Sequence, residues 1–75
     1  MPFILESTNF IEMRVLEECM QLEKFDQDFI DNAVDAWCDI IGVDMNKDWH
    51  TILISQLKKV IFNRLREGRY FYAAL

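Results

Sequence analysis

The sequence is short of the residues that most often carry chemistry. It has one histidine, His50, two cysteines, Cys19 and Cys38, two glycines and one proline. Each scarcity excludes something. A lone histidine makes no zinc site, and Cys19 and Cys38 lack the close spacing of a ligand pair. Two cysteines are not a secreted disulfide framework. Both stand among apolar residues at helical spacing, so the expectation is two buried thiols in a reducing cytosol, with a Cys19–Cys38 bridge as the alternative. With so little glycine there is no phosphate-cradling loop and no nucleophile elbow, and no HExxH run is present. Collagen-like and low-complexity classes are excluded as well. The longest aliphatic runs, Phe3-Ile4-Leu5 and Ile52-Leu53-Ile54, fall far short of the ~20 residues a membrane span needs. The N-terminus lacks the basic leader of a signal peptide. The expectation is a cytoplasmic, non-enzymatic chain without metal, cofactor, membrane or small-molecule substrate.

What is present is apolar surface and charge. Hydrophobic residues make up 52% of the 75 residues and aromatics 13%. That is a globular share, too rich for a disordered tail. One domain, 1–75, is all the length allows, and it can bury only about 60% of its unfolded surface. Charge is divided between the two ends. Residues 1–44 hold eleven acids and two bases, a charge of −9, and residues 45–75 hold six bases and two acids, +4. Such a layout suits either pairing of the halves or separate charged surfaces for partners.

Periodicity predicts an all-α chain, a compact three-helix bundle with an N-terminal arm at residues 1–8. A first helix is expected from Asn9 to Glu23, with Asn9 and Glu12 as a variant capping box. Ile11, Val15, Cys19 and Leu22 form its apolar stripe, widened by Met13, Leu16 and Met20. A second runs from Gln27 to Ile41. Asp26 is its N-cap, Phe25 and Ile30 its hydrophobic staple, and Gly42 its left-handed stop. A third runs from Lys47 to Glu67, with Trp49, Ile52, Leu53, Leu57, Val60, Ile61 and Leu65 as the stripe. Ile54 and Phe62 fall away from it, and Gly68 is the stop. The tail at residues 69–75 could form a short fourth helix or an extended arm.

Several motifs bear on function. Asp44, Asn46 and Asp48 open a calcium loop of the EF-hand kind, but its glycine position holds Trp49 and its twelfth holds Ser55, so the loop is read as capping the third helix. His50 could pair with Cys38 as a thiol–imidazole couple, but it is read as a partly exposed side chain in the first turn of that helix. Asp28, Asp31, Asp35 and Asp39 line the second helix, which reads as a solvated face, or as a surface for a basic partner, or as an acidic imitation of nucleic acid. Lys58, Lys59, Arg66 and Arg69 precede Tyr70, Phe71 and Tyr72. That pairing of bases and aromatics suits contact with nucleic acid, although the overall charge of −5 argues the other way.

The leading expectation is a small interaction module that binds another protein, or a second copy of itself, stoichiometrically. It would serve as an inhibitor, adaptor or assembly subunit, the kind of accessory protein phages and bacteria encode. Trp49, Tyr70, Phe71 and Tyr72 are the expected apolar anchors, because aromatics dominate interface hot spots. Asp31, Asp35, Arg66 and Arg69 are the expected steering charges. The alternatives are a regulator touching nucleic acid through the third helix and tail, and an acidic mimic that blocks a nucleic-acid-binding protein.

Overall fold

The computed structural model describes residues 4–74 in backbone and residues 4–68 in side chains. Three helices account for nearly all of it: α1 (Ile4–Leu22), α2 (Gln27–Ile41) and α3 (Asp48–Ala74). Each packs on both of the others, which makes the chain an all-α three-helix bundle.

The caps of α2 form from local chemistry. Asp26 is extended, at φ −84° and ψ 154°, and its carboxylate accepts the Phe29 amide at 3.1 Å. This satisfies a donor that the first helical turn leaves open. Gly42 closes the helix at φ 86°, where a side chain would be strained, and its amide and that of Val43 both donate to the Cys38 carbonyl at 2.9 Å. That double closure is the glycine stop the sequence predicts. α1 ends without a glycine. Glu23 itself takes the left-handed conformation, at φ 55°, and the Lys24 amide donates to the Cys19 carbonyl.

The helix bounds correct three expectations. α1 begins at Ile4, so residues 4–8 of the expected arm are helical and Asn9 is an interior, exposed residue rather than a cap. α3 does not stop at Gly68 but continues to Ala74, so the tail backbone extends α3 instead of forming a separate helix. A glycine with helical neighbours is tolerated at about 1 kcal/mol, and Gly68 does not itself take the left-handed conformation a stop needs.

The core is made of rows at four-residue steps, with one step of three on α3. Ser7, Ile11, Val15 and Cys19 are buried on α1, and Ile30, Val34 and Cys38 on α2. On α3 the buried row is His50, Ile54, Leu57, Ile61 and Leu65. This overturns part of the expected α3 stripe: Ile54 is buried, while Trp49, Ile52 and Val60 are exposed. It also moves Leu22, Met13 and Met20 out of the α1 stripe and onto the surface. Phe62, expected to fall away, packs against the core at its edge.

α3 is much the longest element. Its 27 residues span about 40 Å at the helical rise, matching the longest dimension of the molecule, 41 Å. Gln27, the first residue of α2, donates from Nε2 to the Lys58 carbonyl at 3.2 Å. From that level α3 runs on for sixteen residues, about 24 Å of helix. α1 and the connection at residues 23–26 cover the first part of that overhang.

Candidate functional site

Two loops and three faces could carry function. The connection between α2 and α3 is tied down by its own polar groups. The Asp44 carboxylate accepts the Asn46 amide at 3.0 Å, and His50 Nδ1 lies 2.6 Å from the Asp44 carbonyl. A carbonyl can only accept, so Nδ1 carries the proton and donates. His50 is therefore 8% exposed rather than partly exposed, because its ring completes the core row and its nitrogen straps the loop to the helix. Among the described residues no hydrogen bond joins His50 to Cys38, and no group of three or more His, Cys, Asp or Glu is placed to hold a metal.

Both thiols are free and buried. Burial, with Glu18 and Asp26 adding to it, pushes the Cys19 thiol up to about 11. Burial and Asp35 raise Cys38, partly opposed by Lys58. A thiol that stays protonated is a poor nucleophile and a poor ligand, so both behave as core side chains.

The expected anchors and steering charges divide. Trp49 is 51% exposed and stands edge-on to the His50 ring with centroids 4.0 Å apart. Ile52 and Val60 are exposed on the same side of α3, with the polar Gln56 between them. Asp31 is half-buried and accepts from Gln27 at 2.8 Å. Asp35 pairs with Lys58 at 2.9 Å across α2 and α3. These two acids are thus already engaged within the chain, and the α2 face is not the bare row of carboxylates its sequence suggests. Arg66 is exposed and lies over the Phe62 ring at 5.8 Å. The side chains of Arg69, Tyr70, Phe71 and Tyr72 lie outside the described residues. Lys58 in the expected basic strip is half-buried in its ion pair, and Arg64 reaches Glu12 at 3.3 Å.

A cluster between α1 and α2 is better organised than any of these. Trp37 is half-buried, and three residues of α1 converge on it. Phe10 meets it edge-on at 5.7 Å, and the Arg14 guanidinium lies 5.4 Å from its ring. Its indole nitrogen donates to Glu18 at 3.0 Å. Arg14 is held in turn by Glu17 at 3.2 Å. Phe10 remains about half exposed beside it. The sequence marks Trp37 as apolar and as one of the aromatics in excess of what so small a core can readily hide. Nothing in it pairs that residue with Phe10, Arg14 and Glu18, which lie on a different helix.

A third feature is a groove of about 690 Å³ where α1 ends against α3. Leu16, Met20, Phe25 and Leu65 line it between Glu23 and Arg64. The sequence reading expects no such depression. The groove arises because α2 starts at the level of Lys58 and leaves that end of the bundle to two helices and a loop. No helix among the described residues is long and apolar enough to cross a membrane.

Comparison with protein-family models, curated proteins and solved structures finds no match to this chain.

Proposed function

We propose that the protein is a non-enzymatic interaction module that binds another protein stoichiometrically, as an inhibitor, adaptor or assembly subunit. One observation carries the reading. The large hydrophobic side chains left exposed among the described residues are as numerous as the side chains that form the core. They include Phe10, Ile40, Trp49, Ile52 and three methionines. Scattered single apolar residues need no explanation, but contiguous apolar surface marks a contact site. The raised thiols and the committed histidine supply no activated nucleophile or base, which favours binding over catalysis.

The test is in-cell crosslinking in the native host, with a photo-reactive residue placed at position 40 or position 49. One protein crosslinked at a stoichiometric level is the expected result. A smear of unrelated proteins at both positions, or no product at either, would overturn the reading.

A further inference from the structure

We infer that the outer face of α1 and α2 is the docking surface, and that it receives an amphipathic helix of another protein with basic residues beside its apolar stripe. The inference rests on the proposed binding role and assigns that role a place and a partner chemistry.

The face is built from two helices. On α2, Phe29, Ala33, Ala36 and Ile40 follow at steps of four, three and four residues, which places them in one row. Ala36 and Ile40 are exposed, Ile40 at 71%. Phe29 and Ala33 are half-buried at the core edge. Trp37 sits one turn from Ala33 and from Ile40, and Phe10 extends the same apolar surface onto α1. The surface is pre-formed, because Trp37 is held at once by Phe10, Arg14 and Glu18. A fixed aromatic platform costs little further ordering when a partner arrives.

Carboxylates border this strip on its α2 side. Asp28, Asn32, Asp35 and Asp39 run beside the apolar row at the same steps, with Asn32 neutral and Asp35 held by Lys58. On α1, Glu6 and Glu17 lie four and seven residues from Phe10 in its own row, and Glu17 is held by Arg14. No ion pair among the described residues engages Glu6, Asp28 or Asp39. The two bases of this half are spent locally, Arg14 on Glu17 and Trp37 and Lys24 over the Phe29 ring. An apolar strip with an acidic border is complementary to a helix with an apolar stripe and Lys or Arg beside it.

A second copy fits this face poorly. The chain's own cationic helix is α3, and each helix packs on both others, so the outer α1–α2 face points away from α3. A contact between one copy's α3 and the next copy's α1–α2 face joins different patches and does not close into a dimer.

The experiment uses the full chain and two labelled synthetic helices of about 18 residues, long enough to hold helical structure. Both carry leucines at steps of three and four. One has lysines beside the leucine stripe and the other glutamates. At low salt the lysine peptide is expected to bind at least tenfold more tightly, by fluorescence anisotropy. Ile40→Glu is expected to weaken that binding at least tenfold with an unchanged circular dichroism spectrum, and Ser55→Glu, on α3, to leave it as it was. Ala36→Glu replaces Ile40→Glu if the latter unfolds.

Equal binding of the two peptides would overturn the inference. So would equal losses in Ile40→Glu and Ser55→Glu. A concentration-dependent oligomer that becomes monomeric in Ile40→Glu would assign the face to a second copy instead. In the native host, a partner crosslinked from position 49 but not from position 40 would leave the broader reading standing and remove this one.

Discussion

Trp37 and Trp49 show the two uses this chain makes of a large ring. Trp37 is clamped by three residues of α1, whereas Trp49 touches the His50 ring and is otherwise open. Trp37→Ala is expected to cost about 2 kcal/mol, below the range for a fully buried ring. Trp49→Ala should change stability by no more than about 0.5 kcal/mol, as for most surface positions. Denaturant midpoints of the two variants check this, and equal losses would show that Trp49 is structural. The cysteines give a second contrast. The Cys19 thiol rises from 9.0 to about 11 in the folded chain, so its burial stabilises fully below the ordinary value and is lost as pH climbs through the raised one. Unfolding free energy should therefore fall between pH 9 and 11, and Cys19→Ala should flatten part of that fall. Denaturation at a series of pH values is the measurement. A slope untouched by the substitution would place the effect elsewhere.

At the level of elements, the two glycines should respond oppositely to alanine. Gly42 sits at φ 86°, so Gly42→Ala is expected to cost about 1 kcal/mol or more. Gly68 is helical, and an added Cβ meets nothing within 4 Å, so Gly68→Ala is expected to stabilise by up to about 1 kcal/mol. Thermal melts of the pair settle both signs, and destabilisation in both would mean that α3 does not pass through Gly68. The same two residues show what was legible in the sequence. Asp26 and Gly42 act within their own turn, so their chemistry can be read where it stands. The α3 row could not be read that way. Trp49 and Ile52 are more apolar than His50, and the helix carries two apolar rows. Only the neighbouring helices decide which row goes inside. The Trp37 cluster was illegible for the same reason, since its members meet only after α1 and α2 have paired. The acidic face of α2 was half legible: its spacing is right, but Asp35 meets Lys58 through tertiary packing.

The whole molecule carries more charge than it pairs. Among the described residues the ion pairs that join helices are Lys58–Asp35 and Arg64–Glu12, each with one largely exposed partner, worth about 1 kcal/mol or less apiece. The exposed acids of α1 and α2 repel one another within a chain of net charge −5. Added salt screens that repulsion more than it weakens two pairs. The melting temperature should therefore rise with salt, and a fall would show that pairing of the two halves dominates. The four-residue rows carry a further consequence. A step of four residues turns about 40° beyond a full turn of the helix, so the buried row of α1, from Ser7 to Cys19, winds about a third of the way round it. The helix meets α2 along one edge of that row, where Phe10, Arg14 and Glu18 reach Trp37, and α3 along the other, where Glu12 reaches Arg64 and Leu16 and Met20 look across to Leu65. A straight seam can slide by a heptad and find an equivalent fit. A wound one cannot, because every shift presents the row to the wrong neighbour. The bundle is thus held in register by the geometry of its core, and the Trp37–Glu18 and Gln27–Lys58 hydrogen bonds mark the same place.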